Sequence, residues 1–285
     1  MRIGQKGHFS PAVLALFFAS FVLFTAACEI PISATATPAQ TVGSTVFSAV
    51  NWRDPDQAID VVFIPDTGYG DMSNVNNRQA FLDDVSALIG NGFWQNNVIA
   101  RNLTFFNFWY MTVAGVVEPP QPDRICPTVT WPNLTGDAAF AEVFILVHST
   151  GLRNCAFGNR VTTGATGFRT VVHELSHAAF GLPDEYCCDG GYWHLPPVLY
   201  NSQNGCLNDA ANAAWRDCQS FTDNRDRTWW RSEGVNIDIM RSGGATVWEY
   251  GPADWVIVEQ VLVDLVGTPS VNAPTVFAPD NWDWP

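Results

Sequence analysis

The sequence predicts an α/β domain over residues 58–267, and three observations carry that expectation. Short apolar, β-branched runs recur at strand length, segments at helical spacing separate them, and the stretch from Pro183 onward loses periodicity and gains cysteine. Strands that alternate with helices favour a mostly parallel sheet, because each parallel connection needs a crossover long enough to hold a helix.

The elements follow in order along the chain. Ala58 to Ile64 reads AIDVVFI, is stopped by Pro65, and predicts a buried strand. Asn77 to Ile89 sets Phe81, Leu82, Val85, Leu88 and Ile89 at helical spacing with Asp83 and Asp84 turned outward. Gly90 and Gly92 end that helix. Leu103 to Val113, rich in Phe, Trp and Tyr, predicts a second strand, and Glu142 to His148 a third, with a Pro-rich loop over Glu118 to Pro132 between them. Gly158 to Gly167 is Gly- and Thr-rich and fits an edge strand or a loop over a cleft. Phe168 to Phe180 predicts a helix that Gly181 stops. Pro183 to Asp226 reads as irregular chain held by disulfides, Trp255 to Val266 as a closing helix, and 268–285 as a polar tail.

Composition narrows the partners. Acidic residues outnumber basic ones 28 to 14, for a formal charge of −14. Such a surface repels phosphate backbones, which argues against nucleic acid as a partner. At the start, Arg2 and Lys6 precede an apolar run from Ala12 to Ala27, the form of a secretory signal over residues 1–27. Thr25-Ala26-Ala27-Cys28 is similar to the lipobox of bacterial lipoproteins, which implies an exported, cell-surface chain whose only membrane contact is a lipid on Cys28; an ordinary signal cleaved nearby would instead give a secreted chain. The Pro-rich, small-residue stretch after it predicts a tether within 28–57.

Seven cysteines is an odd count for an exported chain, and assigning Cys28 to lipid leaves six. No Cys-x-x-Cys pair is present, so disulfides are favoured over a cysteine metal site. Bridging the neighbours Cys187 and Cys188 requires a distorted peptide. Locality then pairs Cys126 with Cys155, and Cys187 and Cys188 with Cys206 and Cys218 in either order.

The chemistry is concentrated in His173-Glu174-Leu175-Ser176-His177. Residues four apart on a helix lie about 40° apart around its axis and about 6 Å along it. His173 and His177 can therefore aim imidazole nitrogens at one ion, and Glu174 can serve as a general base without being a ligand. With five His in the chain, chance produces this pattern in roughly two such sequences per thousand. A catalytic zinc takes three protein ligands and keeps one position open. Gly181 breaks the helix and lets the chain double back, which brings Asp184 and Glu185 within reach; His194 is a further candidate, while His148 reads as a structural or cleft residue.

The run HELSHAAFGLPDEY, residues 173–186, resembles the IgA-peptidase-type bacterial metallopeptidases, a metzincin-like group. Asp60 to Tyr69, the helix with Phe81 and Asp84, the strand around Asn107, and Phe144 to Ser149 extend the likeness over most of 58–186. The resemblance implies a zincin-like α+β fold, a twisted, mostly parallel sheet above the zinc helix, with Asp184 as third ligand. Ile237-Asp238-Ile239-Met240 is similar to a metzincin Met-turn, which would put Met240 beneath the metal. The cysteine-bearing segment 187–220 does not match the family.

These readings converge on one expected chemistry: hydrolysis of a protein or peptide substrate at a single Zn²⁺, with Glu174 as general base and acid and Tyr186 or Tyr250 as donor to the developing oxyanion. Two other classes share the motif: a hydrolase of a non-peptide bond, and a surface-binding lipoprotein without turnover. The intact Glu174 argues against the latter. The Asp-rich stretch 217–226 has no EF-hand spacing.

Overall fold

The computed structural model of the chain describes residues 41–42, 45–149, 151–187, 191–210, 218–232, 238–241, 248–266 and 276–278. The expected signal segment and Cys28 lie outside the described residues, as do Cys188 and most of the tail.

A seven-stranded sheet organises the chain. Its order is β1 (Thr41–Val42), β2 (Val46–Val50), β4 (Phe106–Met111), β3 (Ile59–Pro65), β7 (Val143–His148), β9 (Arg160–Gly164) and β8 (Cys155–Phe157). The central strands β4, β3, β7 and β9 run parallel, and antiparallel neighbours flank them on both sides. The crossovers carry α1 (Val75–Asn91), α2 (Asn97–Arg101) and a hairpin of β5 (Val116–Glu118) with β6 (Thr128–Thr130). After β9 come α3 (Phe168–Phe180), then β10 (Leu199–Tyr200), α4 (Gln203–Asn208), β11 (Gln219–Thr222) and β12 (Thr228–Arg231), and α5 (Pro252–Val266) closes the chain. No helix among the described residues is long and apolar enough to cross a membrane.

Strand alternation divides the core. In β3, Val61 and Phe63 face a cluster built from α1, α3 and α5, while Val62 and Ile64 face a smaller one with Trp109, Phe144, Leu134 and Ala138. Both faces of the central strands are thus covered, which is why their sequences read as continuous apolar runs rather than alternating ones.

Four expectations need correction. The sheet begins before Ala58: β2 pairs with β4 and fully buries Val46, so the expected tether over 28–57 does not extend through this segment. In the 158–167 region the strand is internal rather than at the edge. β9 lies between β7 and β8, with Val161, Thr162 and Thr163 buried; β-branched threonines fit a pleated interior, and the glycines that suggested a loop stand mainly at its ends. Pro183 to Asp226 contains regular structure, including β10 and β11, which share a three-stranded sheet with β12. Finally, Cys206 is bonded to Cys218 rather than to Cys187 or Cys188, while Cys126 is bonded to Cys155. Cys187 is itself disulfide-bonded.

Asp60 gives the fold a pH dependence. It is fully buried; its Oδ1 accepts from Asn107 Nδ2 at 3.0 Å and Trp109 Nε1 at 2.7 Å, and its Oδ2 accepts no hydrogen bond. Burial pushes its carboxyl up to about 7, against the two donors. Because the folded value lies above the unfolded one, this group's contribution is full below about 3.8 and is lost as pH rises through about 7. Asp60→Asn keeps a carbonyl acceptor and removes the charge. In urea titrations the wild type should lose stability relative to this variant between pH 5 and pH 8, by about 1.4 kcal/mol for each unit of pKa displacement. Parallel curves for the two proteins would show that Asp60 is not titrating.

Candidate metal centre and cleft

Helix α3 builds the site. Gly167 opens it where no side chain fits: a Cβ there would meet Thr163 Oγ1 at 2.7 Å and Asn154 Nδ2 at 2.8 Å. Gly181 closes it in the left-handed region, φ 65°. Its N–H donates to His177 O at 3.2 Å and that of Leu182 donates to Ser176 O at 3.2 Å, so the carbonyls of the last turn are satisfied while the chain reverses. The reversal returns Leu182 and then Asp184 to the face that carries the histidines.

His173 and His177 are fixed through the ring nitrogen remote from the centre. His173 Nδ1 lies 2.8 Å from Ile239 O, and His177 Nδ1 lies 2.6 Å from Leu182 O. A carbonyl only accepts, so each Nδ1 carries the proton and each Nε2 turns a lone pair inward. The two Nε2 atoms are 3.3 Å apart, and each is 3.3 Å from Asp184 Oδ1. That oxygen is buried and meets these two imidazoles. Behind it, Asp184 N donates to Gly191 O at 3.2 Å, which holds the carboxylate in place.

The electrostatics suit a cation. Burial disfavours a charged Asp184, but the two imidazoles outweigh it and hold its carboxyl below the usual range. Burial disfavours an imidazolium at His177, and Asp184 more than offsets it, so the ring's proton affinity is raised. Glu174 shifts upward by burial, partly opposed by His173 and His177. A proton and a metal ion therefore compete for one negative pocket. His173, His177 and Asp184 form a group that could hold a metal ion.

A cavity of about 310 Å³ opens over these three residues. Glu174 and Tyr186 line it from α3 and the return loop, and Arg153, Asn154, Cys155 and Ala156 line it from β8 and the strand's approach. The Cys126–Cys155 bridge ties the loop before β6 to this wall, closing 29 residues and contributing about 2–4 kcal/mol, chiefly by restricting the unfolded chain.

The other sequence candidates separate cleanly. Glu185 is buried but joins Asp238 and Asp254 rather than the histidines, and exposed His194 meets the Tyr200 ring edge-on, centroids 5.9 Å apart, outside the cavity lining. His148 is fully buried at the end of β7. Tyr186 stays in the cleft, its ring 6.1 Å from that of His173. Tyr250 does not: it is buried, shares a 2.7 Å hydrogen bond with Ser176 Oγ and packs on Phe180, so it braces α3 instead of facing a substrate.

The turn at Asp238–Arg241 is where sequence reading was thinnest. Asp238 Oδ1 accepts from Met240 N at 2.8 Å and Arg241 N at 2.9 Å, and Met240 is fully buried in the core. Ile239 O orients His173, and Met240 O accepts from Glu185 N at 3.1 Å, next to Asp184. The turn thus meets the site through its backbone, and a carbonyl leaves no trace in residue identity. Arg169 Nη2 also donates to Ile239 O at 3.2 Å.

What fold and site define together is an α/β chain with a His–His–Asp group that could hold a metal ion at the base of a cleft. No protein-family model matches the chain, and no curated protein matches it significantly.

Proposed function

We propose that this chain is an exported zinc-dependent peptidase, related in its site to the IgA-peptidase-type metallopeptidases. One observation carries the metal: three ligand atoms lie 3.3 Å from one another. Tetrahedral ligands about 2.0–2.1 Å from a zinc ion stand about 3.3 Å apart. Two imidazoles and one carboxylate are also the borderline donor set that zinc favours.

When bound, zinc supplies a Lewis acid that polarises a carbonyl and makes water a competent nucleophile near neutral pH. The chain's own residues do the rest. Glu174 borders the cavity one residue from a ligand, and its burial-raised carboxyl suits it to accept a proton from the attacking water and return it to the leaving amine. The carbonyls of Ile239 and Leu182 keep both imidazoles in one tautomer. Tyr186 is the remaining candidate for a hydroxyl donor to the developing oxyanion.

Peptide is favoured over other substrates by β8. It ends the sheet, pairs on one side only with β9 among the described residues, and lines the cavity through Cys155 and Ala156. An extended peptide can add to such an edge through its main chain, independent of sequence. Two disulfides among the described residues fit the oxidising compartment that the signal segment and Cys28 lipidation imply.

The test is a quenched peptide library incubated with purified protein before and after chelation. Cleavage that disappears with chelator and returns with about one equivalent of zinc is expected. Turnover indifferent to chelator, or none with zinc restored, would overturn the reading.

A further inference from the structure

A second cavity, of about 570 Å³, continues from the first, sharing Ile125, Cys126, Gly191 and Trp193 with it. Arginine outnumbers acid among its lining residues, the reverse of the chain as a whole. Arg124, Arg225 and Arg227 line it with one acid, Asp123; Asp223 pairs with Arg227, and the adjoining cavity carries Arg153 together with Glu174 and Asp184. This concentration occurs in a chain with only 14 basic residues against 28 acidic.

The arginines are presented by built elements. Arg225 and Arg227 sit on the turn between β11 and β12, and Asp223 knots that turn. Its Oδ1 accepts from Arg225 N at 2.8 Å and Arg227 N at 3.0 Å, and its Oδ2 from Arg227 Nε at 2.8 Å and Trp229 Nε1 at 3.0 Å. The pair with Asp223 engages Nε of Arg227 and sets its guanidinium 5.3 Å from the Trp229 ring centre, which orients the group while its other N–H donors remain. Across the groove, Arg124 belongs to the loop that the Cys126–Cys155 bridge pins to the cleft wall. Ile125 and Trp193, 50% and 38% exposed, supply apolar surface beside the charges. Such a combination suits a carboxylate carried on a short apolar stem: the stem lies on Ile125 and Trp193, and guanidinium groups bind carboxylates through paired N–H donors.

We propose that this groove is a specificity subsite for acidic side chains, so that the preferred substrate is a peptide bearing Glu or Asp on one side of the cleaved bond. The proposal rests on the peptidase reading. It also gives the chain's negative charge a role in selection, since an acidic peptide opposed by the net charge is attracted to these arginines.

The test uses C-terminally amidated peptides, so that every carboxylate is a side chain, with one Glu, Gln or Lys moved through three positions on each side of the bond. At one position Glu should exceed Gln by about five- to ten-fold in kcat/KM, mostly through KM, with Lys poorer still. The gap should narrow in 0.5 M salt. It should also shrink toward unity in the double variant Arg124→Gln/Arg225→Gln and partly in each single variant, all checked for unchanged thermal unfolding. A second arm measures binding of the same peptides to zinc-loaded Glu174→Gln protein by fluorescence anisotropy, where Glu peptides should bind more tightly than Gln peptides. Cleavage without a Glu preference, or a preference that survives loss of both arginines, overturns the subsite and leaves the peptidase. Tighter binding of Glu peptides with no cleavage of any peptide by the wild type overturns the peptidase and leaves the groove.

Discussion

Glu174→Gln should retain about one equivalent of zinc while losing peptidase activity by about 10²- to 10⁴-fold, the range that general acid–base catalysis usually supplies. The substitution leaves His173, His177 and Asp184 untouched, and the amide is nearly the same size as the carboxylate, so the metal group persists. What disappears is the proton acceptor. Burial raises the Glu174 carboxyl in the metal-free chain, so there the variant should be at least as stable as the wild type. Metal analysis, thermal unfolding and kcat/KM on one peptide decide the matter together. Substantial turnover in a zinc-loaded variant would remove Glu174 from the mechanism.

Asp184→Ala should lose the metal on dialysis, and Glu185→Ala should keep it. Asp184 Oδ1 completes a triangle of 3.3 Å with the two Nε2 atoms, whereas Glu185 belongs with Asp238 and Asp254. Without the carboxylate only two imidazoles remain, and three protein ligands are the usual minimum for a catalytic zinc. The loss should also lower the proton affinity of His177, since Asp184 raises it most, ahead of Glu174 and the Leu182 carbonyl. NMR of the metal-free protein should therefore show the His177 ring titrating at lower pH in Asp184→Ala. The opposite pattern of metal retention would place the third ligand one residue further on. Because Glu185 is buried, its variant is compared by metal content per folded molecule rather than by yield.

The two variants probe different kinds of knowledge about the chain. His173, Glu174 and His177 were legible because their relation is local: once residues 168–180 are helical, 3.6 residues per turn puts both rings on one side, whatever surrounds them. Strands β3 and β7 and helices α1 and α5 were legible for a similar reason, since burial on one or both faces imposes a periodic or continuous apolar pattern. Asp184 stood at the limit. Gly181 announces the reversal, but the backbone alone does not say which of two adjacent carboxylates returns to the histidines.

The rest belongs to contacts between residues far apart in sequence. The carbonyl that orients His173 comes from Ile239, 66 residues on, and any residue type offers the same carbonyl. Tyr250 and Tyr186 were equal candidates as sequence; only packing against Ser176 and Phe180 takes Tyr250 out of the cleft. Sheet order is likewise nonlocal, so a Gly- and Thr-rich segment that reads as an edge became the interior strand β9, and β8 became the edge that borders the cavity. The arginine groove gathers Arg124, Arg225 and Arg227 from loops a hundred residues apart. The sequence by itself singled out the two histidines that can face one point and the glutamate beside them, because a helix turns local spacing into direction. The tertiary structure alone decided what faces them, because neighbours across a fold are chosen by packing and hydrogen-bond geometry that no short-range pattern records.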